Sequence, residues 1–193
     1  MPTQSRTVIL GVLLFMIGLP TACIKAQTQQ APSGTATYFG HDDLMAIKQK
    51  SADRPTNDTQ VAVVDVNNEY HLAVGIAHRS KASVSTGGGG SVEHSEVAET
   101  YYIVSGSGIL DTGGTMKDFK AQQPGSPNGA SGPSSSGGEI VGGVSKPVGP
   151  GDVVIIPPNT PHRFSAINSD EIVYVVLRTD PHKLLPVMNL LGR

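Results

Sequence analysis

A chain of 193 residues is long enough for one domain with a sizeable core and too short for two comfortable ones. Its 23 glycines, 14 prolines and charged fraction of only 16% accompany short Val/Ile runs between turn residues, a pattern that predicts β structure and leaves little room for long helices. A formal net charge of -2, with no Lys/Arg cluster and no basic stripe interleaved with aromatics, argues against a nucleic-acid partner.

The first residues read as a targeting segment. After Arg6 the stretch from Thr7 to Leu19 is almost wholly apolar and runs into Pro20, Thr21 and Ala22, the arrangement of a secretory signal peptide over residues 1–26. Cleavage after Ala26 makes Gln27 the new N-terminus. In the alternative, Thr21 and Ala22 lead to a lipidated Cys23 that tethers the protein to a membrane. The apolar run falls short of the roughly 20 residues that span a bilayer, so no transmembrane span is expected in the mature chain. Either route exports the domain. Cys23 is the only cysteine, so the mature domain forms no internal disulfide, thiolate nucleophile or Cys-ligated zinc site.

Residues 27–37, rich in Gln, Thr, Ala, Pro and Ser, bury too little surface to fold and are expected to form a disordered linker to a single domain over 38–193. Leu44, Met45, Ile47 and Lys48 have helical spacing and predict one short helix over Asp42 to Lys50, with Asp42 or Asp43 capping its start. Strands follow. Val61 to Val66 ends at the turn pair Asn67 and Asn68, and Glu69 to Arg79 alternates after it, so the two predict a hairpin. One face of the second strand carries Tyr70, Leu72, Val74, Ile76 and His78. The other carries His71, Ala73, Gly75, Ala77 and Arg79, small enough in the middle for another layer to approach closely. Gly87 to Gly90 leads into the most informative region. Between Gly113 and Gly149 a Gly/Ser/Pro-rich composition predicts a long inserted loop, either simple length variation or a lid.

Val92 to Gly106 reads V-E-H-S-E-V-A-E-T-Y-Y-I-V-S-G, and Gly151 to Phe164 reads G-D-V-V-I-I-P-P-N-T-P-H-R-F. Alternation along a strand turns Glu99, Tyr101 and Ile103 one way, and His162, Phe164 and Ala166 one way on another strand. Two imidazoles and a carboxylate can then converge. Such a set suits a divalent first-row metal, Mn, Fe, Ni or Zn, with positions left for water and substrate. The two segments resemble the paired motifs of the cupin superfamily over about residues 61–178. His94, Glu99 and Gly106 fall on the second His, the Glu and the closing Gly of its first motif. Gly151, Pro157 and His162 fall on the Gly, Pro and His of the second, with Asn159 in place of a Gly.

The resemblance implies an all-β jelly-roll barrel with the short N-terminal helix at one end and a C-terminal extension from Pro181 packed outside. It also implies His94, Glu99 and His162 as metal ligands. One position departs from the pattern: Val92 stands where the first His belongs and cannot ligate a metal. Glu96 and His78 are the candidates to replace that donor. Tyr101 reads as a core aromatic that could donate a proton if it faces the pocket, and Glu99 or Tyr101 is the candidate catalytic group that handles a proton. His71 and His78 read as plain strand histidines, His41 as a local cap and His182 as part of a surface turn. Cupins include oxygenases, isomerases, lyases, storage proteins and sensing modules, so the resemblance alone selects no reaction. The leading expectation is an exported metal-dependent enzyme, an oxygenase or a lyase/isomerase, acting on a small organic substrate. The alternative is a non-catalytic small-molecule or sugar-binding cupin with a degenerate metal site. A homodimer through sheet faces is expected, because Glu69 to Arg79 is apolar on both sides.

Overall fold

The computed structural model describes residues 36–85, 90–121 and 129–192. The expected signal peptide and Cys23, nearly all of the expected linker and most of the stretch from Gly87 to Gly90 lie outside these residues. In chain order the elements are α1 (His41–Gln49), β1 (Thr56–Val66), β2 (Tyr70–Ser80), α2 (Lys81–Ser85), β3 (Ser91–His94), β4 (Ala98–Ser105), β5 (Gly108–Thr112) and β6 (Thr115–Met116). There follow a 3-10 turn (Gly129–Ser131), β7 (Ser134–Gly137), β8 (Ile140–Val141), β9 (Val144–Val148), β10 (Val153–Ile156), β11 (His162–Ile167), β12 (Glu171–Asp180) and β13 (Met188–Asn189). No helix among the described residues is long and apolar enough to cross a membrane.

A six-stranded antiparallel sheet in the order β10-β4-β12-β2-β1-β13 faces a five-stranded sheet in the order β7-β3-β11-β5-β9. The core lies between them. Ala77, Tyr101, Ile103, Ile156, Ile172, Tyr174 and Val176 from the first sheet meet Leu110, Val148, Phe164 and Ile167 from the second. Period-two alternation places these residues inside, as in any sandwich whose outer faces are solvated or covered separately. The fold is the jelly-roll β-sandwich expected from the two motifs.

The hairpin forms as expected. Asn67 and Asn68 both take positive φ, 52° and 60°, and close β1 onto β2 with Val66 opposite Tyr70. Asn tolerates this left-handed region better than other residues with a side chain. The helix begins one residue earlier than expected, and its start differs in chemistry. Gly40 is the N-cap, and its N–H donates to Asp43 Oδ2 at 3.0 Å, so Asp43 reaches back to the cap from inside the first turn. His41 is simply the first helical residue.

Helix α1 packs Ile47, with Leu44 and Met45, on Val61, Ile76 and Val173 on the outer face of the larger sheet. Part of the apolar face of β2 is therefore covered by the chain's own helix. The C-terminal extension packs as expected and adds β13 to the free edge of β1, while Leu185 is buried against Val63 and Ala73.

The stretch from Gly113 to Gly149 is more than a loop. Its β7 pairs with β3 and its β9 with β5, so it supplies both edges of the smaller sheet. Composition hid these strands because edge pairing is satisfied by backbone hydrogen bonds, which a run such as Ser134 to Gly137 makes as well as an apolar strand does.

A buried two-histidine, one-carboxylate site

Strand parity turns Glu99 and Tyr101 of β4, Arg178 of β12 and Arg79 of β2 into the space between the sheets. His94 at the end of β3 and His162 at the start of β11 face them from the other sheet. Two turns hold the parts together. After β10, Asn159 takes φ 57°, and its N–H donates to the His94 carbonyl at 2.7 Å, tying the second motif to the first. After β4, Gly106 has φ 77°, and a Cβ there would lie 2.0 Å from the Glu171 carbonyl oxygen, so only glycine fits.

Donor atoms of His94, Glu99 and His162 lie within 4.8 Å of one another, and all three residues are buried. Glu99 Oε2 is 3.5 Å from His94 Nε2 and 3.4 Å from His162 Nε2. Neighbours fix the tautomers. The Ser134 hydroxyl gives its proton to the Gly132 carbonyl at 2.8 Å, so it accepts from His94 Nδ1–H, also at 2.8 Å. His162 Nδ1 lies 3.0 Å from the Thr160 carbonyl, which can only accept, so Nδ1 carries the proton there too. Both Nε2 atoms therefore face the same carboxylate oxygen. Three potential ligand atoms face one point, and buried His162 Nε2 has no hydrogen-bond partner among the described residues. The donor set fits a divalent metal, with the outer imidazole nitrogens held as metal-binding histidines require.

The carboxylate is engaged on both oxygens. Tyr101 donates from its hydroxyl to Glu99 Oε2 at 2.9 Å, and Arg178 donates from Nε to Oε1 at 2.8 Å. Arg178, wholly buried, also donates from Nη1 to Gln60 Oε1 at 3.0 Å and from Nη2 to Asp58 Oδ2. Its guanidinium crosses beneath β2 at Gly75, where a Cβ would come within 3.1 Å of Nη1. The small face of β2 thus makes room for a buried arginine.

Burial alone would raise the Glu99 carboxyl. The neighbouring imidazoles of His162 and His94 and the charge of Arg178 overcome that effect and hold it well below the ordinary value of 4.5. Burial and the neighbouring Glu99 charge push Tyr101 well above its ordinary 10.0, so its phenol keeps its proton. Tyr174, 4.5 Å from Tyr101 between ring centroids, is pushed up to about 12, chiefly by burial.

The two proposed substitutes for the missing histidine do not reach the triad. Glu96 stands outside and pairs with His182 at 3.4 Å. His78 lies on the opposite face of β2 and donates from Nε2 to the Arg54 carbonyl at 2.9 Å. His71 is likewise structural, donating from Nδ1 to the Leu185 carbonyl at 2.8 Å beside Asp65. Val92 itself lines the cavity and registers opposite His162, so the fourth corner is apolar. The cavity measures 590 Å³, within the usual range for small-molecule sites. The 3-10 turn with Gly132, Ser134 and Ser136 of the insert forms part of its wall, so the insert bounds the site.

Sequence reasoning brought together the triad and Tyr101. It missed Asp58, Gln60, Arg178 and Ser134. Arg178 carried a signal: it continues the inward parity of Ile172, Tyr174 and Val176, and an arginine on that face must meet a buried acid.

A family model described as an AraC-like ligand binding domain matches residues 145–192, which include the second motif. No curated protein matches the chain. Among solved structures, a putative sugar phosphate isomerase from Acidithiobacillus ferrooxidans is 17% identical, with a TM-score of 0.33 over 56% of this chain and 49% of its own. An oxalate decarboxylase variant from Bacillus subtilis is 15% identical, with a TM-score of 0.40 over 66% of this chain and 26% of its own. KdgF from Halomonas sp. is 16% identical, with a TM-score of 0.38 over 67% and 81%. The chain spans half or less of the first two. Both motifs lie on the inner faces of a two-sheet jelly roll, the fold that the cupin resemblance implies, and the ligand-binding-domain model matches the part of the chain that holds the second.

Proposed function

We propose that the protein is an exported cupin that holds Mn, Fe, Ni or Zn on His94, Glu99 and His162 and acts as an enzyme on a small organic molecule. The reaction class is that of an oxygenase or a lyase/isomerase. The observation that carries this reading is the pair of imidazole nitrogens facing one carboxylate oxygen inside a 590 Å³ cavity. A bound metal of this class supplies Lewis acidity or redox chemistry at positions open to water and substrate. The chain's own residues set the conditions. Arg178 keeps Glu99 ionised and in one orientation, so Glu99 serves as a ligand and acceptor rather than as an acid. Tyr101 holds its proton beside it and is the group able to donate one at its phenolic oxygen. Phe164, Leu110 and Val92 exclude water along the walls.

A non-catalytic small-molecule or sugar-binding role is the second reading, and Val92 is the observation that favours it. Elemental analysis after metal supplementation and dialysis separates the two. Stoichiometric metal is expected in the native protein and none in the His94→Ala/His162→Ala variant. A native protein that retains no metal overturns the metal-enzyme reading.

We further infer export through residues 1–26, or membrane tethering through Cys23, which N-terminal sequencing and intact mass of the expressed protein distinguish. Homodimerisation belongs to the same proposal. Tyr102, Val153, Ile155 and Leu177 support it, because they are exposed together on the outer face of β10, β4 and β12.

A further inference from the structure

One arginine of the cavity, Arg79, forms no ion pair among the described residues, although the charges of Asp58 and Glu99 act on it from a distance. Arg79 stands on the inward face of β2 opposite Thr56 of β1, and both line the cavity that holds the triad. A guanidinium offers five N–H donors. Among the described residues, the one hydrogen bond Arg79 makes runs from Nη1 to the His78 carbonyl at 3.5 Å, the far limit of such a contact. Its neighbours are paired: Arg178, buried beside the cavity, by Glu99, Asp58 and Gln60, and Arg163 in the cavity wall by Asp111 at 3.3 Å. The cavity's carboxylates, Asp58 and Glu99, both contact Arg178, and neither forms an ion pair with Arg79. A half-buried guanidinium with unmet donors is costly unless an anion meets it. With a divalent cation on the triad, the cavity would carry a positive surplus as well.

We propose that this cavity takes a small organic carboxylate, seated on Arg79 through the paired N–H fork that suits a planar anion. The carboxylate subsite stands on Arg79 alone; the claim that its ligand is also the substrate rests on the metal-enzyme reading above. Neutral sugars would leave Arg79 unmatched, so the inference separates acids from plain sugars as ligands.

Isothermal titration calorimetry on the metal-free protein tests it, with malonate, succinate and glutarate as probes and the matching diamides as neutral controls. At least one diacid is expected to bind while its diamide does not. Arg79→Gln is expected to weaken that diacid about ten-fold or more, the value of a charge-assisted paired contact. If Arg79→Gln melts early, Arg79→Lys carries the comparison. It keeps the charge but loses the fork, so a several-fold loss is expected, and unchanged affinity overturns the proposal. The His94→Ala/His162→Ala protein is expected to keep diacid binding. Failure of every diacid to bind overturns the proposal, as does binding that survives Arg79→Gln or disappears only with the two histidines. A wild-type protein that retains no metal but still binds a diacid through Arg79 removes the enzyme reading and leaves the carboxylate subsite standing.

Discussion

Glu99 accepts hydrogen bonds from Tyr101 and Arg178 while two imidazole nitrogens face its Oε2. Among the described residues, removing its charge leaves Arg178 with Asp58 as its remaining ionic partner in a buried setting. Glu99→Gln is therefore expected to destabilise the metal-free fold by about 3–5 kcal/mol at pH 7, the usual cost of breaking a buried pair from one side, read from urea midpoints. The same depressed carboxyl sets a pH dependence. Between the ordinary carboxylate range and the lower folded value, the unfolded chain binds the proton that native Glu99 refuses, so stability rises with pH through that window. The contribution is complete above about pH 4.3 and is lost as the pH falls through the folded value. Urea midpoints from pH 7 to pH 3 should drop more steeply for the wild type than for Glu99→Gln; parallel profiles would show that Glu99 titrates normally. Motif spacing made His94, Glu99 and His162 legible. Arg178 and Asp58 were not, because they meet their partners across 79 and 120 residues, a distance that only strand order sets.

Among the elements, the hairpin of β1 and β2 could be read directly from its alternation and its Asn pair. The insert could not, since β7 is three serines and a glycine whose role comes from its neighbour rather than its own propensity. That neighbour is β3, and the pairing sets Ser134 opposite His94. Ser134→Ala leaves all three ligands in place while removing the acceptor that holds the His94 ring. Metal affinity is expected to fall about 10- to 100-fold, as for other outer partners of metal-binding histidines, with little change in melting temperature of the metal-free protein. Calorimetric titration with Zn²⁺ checks this, and unchanged affinity would mean that the ring is held by packing alone. The apolar face of β2 shows a second limit of reading by strands: α1, which ends at Gln49, well upstream of β2 at Tyr70, covers Ile76, a partner that alternation alone does not name.

For the molecule as a whole, coverage of the larger sheet is uneven. α1 shields the outer face near Val61, Ile76 and Val173, whereas Val153 and Ile155 remain 60% and 72% exposed on the edge strand β10. An apolar edge of this kind invites another sheet. Light scattering coupled to size exclusion should therefore give a dimer for the wild type and a monomer for Ile155→Lys, and a wild-type monomer at high concentration would remove the dimer. The crossed connectivity of the sheets also bears on time. β2 lies between β1 and β12, and the triad draws His94 and Glu99 from the first motif and His162 from the second. No local fragment contains the site. Such distant pairing folds slowly, on the scale of milliseconds to seconds, and the ligands come together only when the sandwich closes. The chain has no tryptophan, so Tyr101 and Tyr174, packed ring against ring at a tilt in that core, report its closing by their emission. The moment at which the protein finishes folding is then also the first moment at which it can hold a metal.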